Sequence, residues 1–137
     1  MKALLFLYIT IASASSDYQQ SVLNDWVEAH NSGDKIEFEA FIRNHYPENY
    51  LNDTAIERQL NFYLAVRDDF GSVNPIVYET ALESETKLIV HFVREGISNA
   101  ATGISLADIL EVEIDIDPEK NKLARGLGLG ALICSRN

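Results

Sequence analysis

Cysteine is almost absent from the chain, which has one thiol, Cys134, among its 137 residues. A single cysteine cannot form an intramolecular disulfide, so the protein is not a small secreted domain held together by disulfide bonds. Cys134 also lies far from the N-terminal apolar run, where a lipoprotein anchor would require it. The surrounding stretch "GALICSRN" contains no candidate base, and we interpret Cys134 as a small apolar side chain at a strand end rather than a nucleophile.

Positive charge is also scarce, because 11 lysines and arginines face 21 acidic residues and leave a formal net charge of -10. So acidic a surface repels phosphate groups, which argues against a nucleic-acid partner and against binding to anionic membranes. The chain is nevertheless 47% hydrophobic, which is too much for a disordered tail. These values predict one globular domain with a substantial core.

The only long apolar run lies at the N-terminus, from Ala3 to Ala12, after a short positive start. It is too short to cross a bilayer, which requires about 20 residues. Small residues follow at Ala12-Ser13-Ala14, and this pattern predicts a cleaved signal peptide over residues 1–14. An N-terminal core helix is the alternative. With the signal peptide removed, residues 15–137 would form the single domain, secreted or periplasmic and without an integral membrane segment.

Three segments place apolar residues at helical spacing. The first is Tyr18–His30 and the second is Phe38–His45. The third opens on Thr54 and Glu57, which have the spacing of a capping box, and ends at Gly71. The predicted buried faces are Val22, Leu23, Trp26, Val27 and His30 in the first, Phe38, Phe41, Ile42 and His45 in the second, and Ile56, Leu60, Tyr63 and Leu64 in the third.

Between the first two helices stands "HNSGD", which could be a catalytic loop or a structural joint. Gly33 falls just past the first apolar stripe, where a left-handed helix cap favours glycine. Asp34 is suited to the N-cap of the second helix. His30 would lie in the last turn of the first helix, where a partial positive charge suits the helix dipole. We favour the joint because each of these residues has a structural explanation.

After Gly71 the apolar period changes to two, which predicts strands. The predicted strands are Pro75–Leu82, Lys87–Arg94, Leu110–Asp117 and 123–133. Strict alternation in "LEVEIDID" indicates a sheet with one wet face, as in antiparallel sheets. Helices followed by strands predict an α+β fold, with three N-terminal helices packed on a curved antiparallel sheet of about four strands.

The last predicted strand contains Gly126, Gly128 and Gly130 at alternate positions. Glycine weakens a strand, so a geometric reason is expected. Strong curvature of the sheet is one explanation, and we favour it. Close approach by another chain is the other, and it would produce a homodimer through the sheet.

No metal or cofactor is expected. Asp115, Asp117 and Glu119 resemble the start of a calcium loop, but the sixth position is Lys120 instead of glycine. The three histidines, at positions 30, 45 and 91, lack metal-ligand spacing.

The stretch "WVEAHNSGDKIEFEAFI" resembles the opening helix pair of the nuclear-transport-factor-2-like superfamily, whose domains are cone-shaped, cystatin-like α+β folds. Together with "FIRNHYPENYL", "IERQLNFYLAVRDDFG" and "LARGLGLG", it is similar to the small accessory domain found beside secreted serine hydrolases of the beta-lactamase-like and tail-processing-protease-like kinds. The chain contains no Ser-x-x-Lys and no Gly-x-Ser-x-Gly, so the resemblance implies no hydrolase activity.

The resemblance implies a cone interior lined by Trp26, Tyr63, Tyr78 and Phe92, which are our candidate ligand-binding residues. These aromatic side chains could instead fill the core, and we name no catalytic residue because Asp108 is the only acid near an apolar strand face. The implied function is an exported, non-catalytic accessory module that binds a small apolar ligand or a protein partner, such as a secreted hydrolase. The alternative is a small enzyme like the ketosteroid isomerases and polyketide cyclases.

Overall fold

A computed structural model describes residues 16–132 and confirms the predicted α+β class. Three helices are followed by an antiparallel sheet of five strands in this part of the chain. The predicted signal peptide and Cys134 lie outside the described residues. The helices are α1 (Asp17–Ser32), α2 (Lys35–His45) and α3 (Asp53–Phe70), and the strands are β1 (Glu79–Leu82), β2 (Lys87–Val93), β3 (Ile109–Asp117), β4 (Lys122–Leu123) and β5 (Gly128–Ala131).

The joint between α1 and α2 has the predicted caps. Gly33 adopts a left-handed conformation with φ of 65°, and its N–H donates to the carbonyls of Ala29 and His30. The Asp34 carboxylate accepts a hydrogen bond from the N–H of Ile36 at 3.0 Å and caps α2. The interpretation of "HNSGD" as a structural joint is therefore confirmed at these two positions.

The start of α3 corrects the sequence prediction, because its N-cap is Asn52 rather than Thr54. Asn52 has an extended backbone, and its side-chain oxygen accepts a hydrogen bond from the N–H of Ala55 at 2.9 Å. The helix therefore begins at Asp53, and Thr54 already lies in its first turn. Asparagine is at least as good an N-cap as threonine, so this start is chemically favourable.

Strand β3 is central to an open sheet. Strand β2 pairs with one of its edges and β1 follows β2, while β4 and β5 share the other edge. The register places Leu88, Val90 and Phe92 beside Ile114, Val112 and Leu110, and all six side chains are buried. We call this side the inner face. The opposite outer face carries Lys87 beside Asp115 and His91 beside Glu111.

Strand β1 is shorter than predicted, because only Glu79–Leu82 pairs in register with β2. Ile76, three residues before this strand, bonds to side chains instead of to β2. The amide nitrogen of Asn99 donates to the carbonyl of Ile76 at 3.1 Å, and the side chain of Asn74 accepts from the N–H of Ile76 at 3.0 Å. Local side-chain bonds of this kind compete with the sheet ladder and delay the start of the strand.

The predicted last strand is interrupted, since residues 124–127 separate β4 from β5. In this interruption the N–H of Leu127 donates to the Tyr46 hydroxyl at 3.3 Å. A β-carbon on Gly126 would lie 3.3 Å from the Tyr46 ring, and one on Gly128 would lie 3.2 Å from the β-carbon of Glu113. Two of the three glycines therefore permit close approaches within this chain.

Alanine substitution should have opposite effects on stability at Gly126 and at Gly130. Gly126→Ala should destabilise the fold by about 1–3 kcal/mol, because the new methyl group crowds a fully buried tyrosine. Gly130→Ala is the matched control, since a β-carbon there meets nothing within 4 Å. It should stabilise the fold by up to about 1 kcal/mol by restricting the unfolded chain. Urea denaturation measures both, and equal effects would contradict the packing argument.

The helices cover the inner face and form one core with it. Strand β3 contacts α1, β4 contacts α2 and β5 contacts α3. Trp26 of α1 packs against Phe92 of β2 with ring centroids 5.5 Å apart. None of the helices within residues 16–132 is both long and apolar enough to cross a membrane.

Candidate functional site

The four candidate ligand-binding residues do not form one group. Trp26, Tyr63 and Phe92 are fully buried, and the first and last are in contact. Tyr63 stacks on Phe38 at a centroid distance of 5.5 Å, within the helical layer. Tyr78 is half-buried just before β1, and its N–H donates to the carbonyl of His91 at 2.8 Å. The structure thus brings two of the candidates together and places the others elsewhere.

A buried pair of tyrosine hydroxyls lies beside the sheet interruption. The hydroxyl oxygens of Tyr46 and Tyr63 are 2.5 Å apart. Tyr46 donates to the side-chain oxygen of Gln59 at 3.2 Å, which leaves Tyr63 as the donor to Tyr46. Burial raises the pKa of both phenols, and that of Tyr63 lies well above its usual value. Both groups are therefore neutral and unable to act as a base, and both hydroxyl hydrogens already have acceptors, that of Tyr63 in Tyr46 and that of Tyr46 in Gln59.

Sequence reasoning missed Tyr46. It follows α2 directly, one residue beyond the predicted buried stripe that ended at His45, and it is fully buried. Its spacing of four residues from Ile42 is the signal that could have identified it. Its role as a hydrogen-bond partner depends on residues of α3 and of the sheet interruption, which are distant in sequence.

The acid considered for the cone interior has a structural partner. Asp108 accepts a hydrogen bond from Nε of Arg94 at 2.8 Å. The same guanidinium donates to the carbonyl of Ala107 at 3.1 Å and lies 4.1 Å from the centroid of the Phe70 ring. Asp108 therefore helps Arg94 to join the end of α3 to the start of β3, and this geometry does not place it as a base beside the tyrosine pair.

The end of α1 is tied to the segment that enters the sheet. The side chain of Asn31 donates to the carbonyl of Val73 at 3.0 Å and accepts from the N–H of Val73 at 2.9 Å. Arg67 of α3 donates to the carbonyls of His30 and Asn31 at 2.7 and 3.3 Å. Nε2 of His30 lies 2.8 Å from the carbonyl oxygen of Gly71 and must be the donor, because a carbonyl only accepts. The joint therefore positions the first and third helices as well as the second.

His30 does not provide the positive charge expected at the end of α1. Burial lowers its pKa from 6.5 to about 4, and the nearby Arg67 acts in the same direction. The bond to Gly71 opposes this shift without cancelling it. The imidazole is thus neutral at physiological pH, and the helix-dipole interpretation is wrong for this residue because the ring faces the core rather than solvent.

The lowered pKa predicts a pH-dependent stability. The unfolded chain binds a proton near pH 6.5 that the folded chain accepts only near pH 4. The stabilisation is therefore complete above pH 6.5 and is lost as pH falls toward 4, by about 3 kcal/mol in total. Urea denaturation at a series of pH values should show this fall in the free energy of unfolding between pH 6.5 and 4 in the native protein and not in His30→Gln. The same change at His91 should leave this fall in place, and its loss there would contradict the assignment.

A hydroxyl, an imidazole and a carboxylate are connected between α1 and α2. The Tyr18 hydroxyl lies 2.8 Å from Nδ1 of His45, and Nε2 of His45 lies 2.8 Å from the carboxylate of Asp25. The order of hydroxyl, imidazole and carboxylate is that of a Ser-His-Asp triad, but the roles of the two ring nitrogens are exchanged. Burial, with a smaller contribution from Asp25, raises the pKa of Tyr18 to about 12. The phenol is therefore a poor nucleophile, and the arrangement is better suited to joining the two helices.

The third histidine, His91, lies between two carboxylates on the outer face. His91 is adjacent to Glu79 on β1 and to Glu111 on β3, with nitrogen–oxygen distances of 3.3 and 3.0 Å. A depression of about 270 Å³ lies beside His91 and Glu79. It is lined by these two residues and by Thr80, Ala81 and Ile89. Within residues 16–132, no three His, Cys, Asp or Glu side chains are arranged to hold a metal ion.

Comparisons of the chain with protein-family models, with curated proteins and with solved structures find no significant match. The resemblance to the nuclear-transport-factor-2-like superfamily therefore stays a prediction based on the motifs quoted above.

Proposed function

We propose that this chain is an exported, non-catalytic binding module whose partner is a protein with a positively charged surface, bound at the outer face of the sheet. The observation that carries the proposal is the contrast between the two faces. The inner face is filled by the chain's own aromatic side chains, whereas the outer face is acidic and only partly shielded from solvent.

The inner face supports a protein partner over a small apolar ligand. Trp26 and Phe92 are in contact there, and the exposed fraction of each is 0%. A drug-sized ligand requires a cavity of about 300 Å³ or more. The side chains that line such a cavity are normally accessible to solvent in part when it is empty. An apolar ligand would have to displace these side chains from one another.

The outer face has an excess of negative charge. It carries Glu79 on β1 together with the alternate residues of β3, which are Glu111, Glu113, Asp115 and Asp117. The cations on this face in the described part of the chain are already engaged. Lys87 pairs with Glu113 at 3.5 Å and Arg125 with Asp115 at 3.3 Å, and Lys122, which is opposite Asp117 in the register, donates to the carbonyl of Asn44 at 2.8 Å. Five carboxylates against these three cations leave an excess of negative charge that attracts a basic surface.

Charge removal tests the proposed surface. Binding of an oligolysine peptide, measured by calorimetry at low salt, should weaken about tenfold in the double variant Glu113→Gln/Asp117→Asn, which corresponds to about 1.4 kcal/mol. The control Glu28→Gln/Glu57→Gln removes the same charge from exposed positions on α1 and α3. It should weaken binding much less. Equal weakening in both variants would show attraction to net charge alone and would overturn the proposed surface.

Export is tested separately. Mass spectrometry of the protein secreted by its native host should find a mature N-terminus at or near Ser15. Recovery of chains that retain Met1 from the cytoplasm of that host would refute export while leaving the binding surface intact.

A secreted serine hydrolase is the first candidate partner that the sequence resemblance suggests.

A small isomerase- or cyclase-like enzyme is the second candidate, and the tyrosine pair is the observation that favours it. An oxyanion that took the place of Gln59 as acceptor could receive the Tyr46 hydrogen, while Tyr63 continues to donate to Tyr46. Such an enzyme would lose turnover in Tyr63→Phe, which removes the donor and keeps the ring. If a ketosteroid or polyketide substrate is turned over by the native protein and not by this variant, the enzyme replaces the binding module as the better assignment.

A further inference from the structure

Two fully buried polar atoms lack a hydrogen-bond partner in the described part of the chain, and they belong to adjacent side chains. They are Nε1 of Trp26 and Nδ1 of His30, one helical turn apart on α1. The exposed fraction of both residues is 0%. Native proteins rarely leave such atoms unsatisfied, because their separation from water costs free energy. Two of them side by side indicate a missing common partner.

The chemistry of the pair is complementary. Indole Nε1 carries a hydrogen and can only donate. Nε2 of His30 donates to the carbonyl of Gly71 at 2.8 Å, so Nδ1 of the neutral ring has a free lone pair and accepts. The pair therefore leaves one donor and one acceptor, on stacked rings, without a partner in the core.

The two rings cannot satisfy each other directly. They are stacked, with centroids 4.7 Å apart and an interplanar angle of 23°. The indole N–H and the imidazole lone pair both lie in the planes of their rings, so neither points at the other ring. A group at the edge of the stack is required to join them, and it must accept one hydrogen bond while donating another.

We propose that Trp26 and His30 form an internal hydration site that holds one ordered water molecule, which accepts from Nε1 of Trp26 and donates to Nδ1 of His30. A water molecule is the smallest group with both capacities, and the complete burial of both rings favours the smallest. Buried waters generally occupy sites with two to four polar partners, and this pair supplies two. The site is independent of the binding surface proposed above.

Water-selective nuclear Overhauser spectroscopy of the native protein tests the site without any substitution. Trp26 is the only tryptophan, so its indole N–H gives a single assignable resonance. We expect direct cross-relaxation between that hydrogen and a long-lived water, with rotating-frame spectra separating it from chemical exchange. A crystal structure should show an oxygen about 2.7–3.2 Å from both nitrogens.

A variant provides the second measurement. His30→Leu removes the acceptor and keeps an apolar side chain, so the water cross-peak should disappear and the indole N–H resonance should shift. His91→Leu is the control and should leave the cross-peak unchanged, because His91 lies on the outer face. Absence of the cross-peak in the native protein, or a protein oxygen bonded to Nε1 of Trp26 in the crystal, would overturn the proposal.

Discussion

Trp26→Ala should lower the free energy of unfolding by about 3–5 kcal/mol, the loss expected when a large aromatic side chain is removed from a packed core. Trp26 is fully buried and stacks on His30 while it contacts Phe92. Its removal would leave a cavity between α1 and the sheet that the surrounding rings can fill only in part. Chemical denaturation followed by far-ultraviolet circular dichroism measures the effect without requiring tryptophan fluorescence.

Phe62→Ala is the control for this experiment, since it also removes an aromatic ring but at a position that is 38% exposed. It should cost much less than Trp26→Ala. If Trp26→Ala costs under about 1 kcal/mol, the ring does not fill the core. An open pocket at Trp26 would then become the better description, and with it the binding of a small apolar ligand.

Asn31→Ala should lower the free energy of unfolding by about 2–4 kcal/mol, because it leaves two buried backbone groups without partners. The Asn31 side chain is bonded to both the N–H and the carbonyl of Val73, a residue with an exposed fraction of 0%. Each unsatisfied buried group costs about 1–3 kcal/mol, and an entering water molecule would recover part of the total. Thermal and urea denaturation should agree on the loss.

Asn61→Ala makes the same chemical change at an exposed position within α3. It should be neutral or slightly stabilising, because alanine is the better helix former. Amide hydrogen exchange adds a local measurement, since the N–H of Val73 should lose protection in Asn31→Ala and keep it in Asn61→Ala. Unchanged protection at Val73 would mean that the Asn31 side chain does not stabilise the contact between α1 and the segment around Val73.

Local chemistry was sufficient to predict much of the fold. The stripes at helical spacing identified the three helices, and Gly33 and Asp34 marked the joint between α1 and α2. Strict alternation in "LEVEIDID" predicted β3 to within one residue at its start. These features depend on neighbours in the chain, so they can be recognised without knowing what packs against them.

The same information was insufficient where more than one residue could bond to the same backbone groups. Thr54 and Glu57 have the spacing of a capping box, but Asn52 comes first and caps α3. The stretch before β1 alternates like a strand, yet the carbonyl of Ile76 accepts a hydrogen bond from Asn99 instead of pairing with β2. Gly126 looked like part of a curved strand, and only the position of the Tyr46 ring explains why a side chain is disfavoured there.

The sequence by itself determined the α+β class, the order of the elements and the inner and outer residues of β2 and β3, because periodicity is a property of consecutive positions. Only the tertiary structure decided the state of the polar groups. The Tyr46–Tyr63 pair, the His91–Glu111 pair and the neutral His30 against Gly71 each join residues from different parts of the fold. Hydrogen bonds and desolvation act over a few ångströms in space, whereas these partners are separated by 17, 20 and 41 positions along the chain.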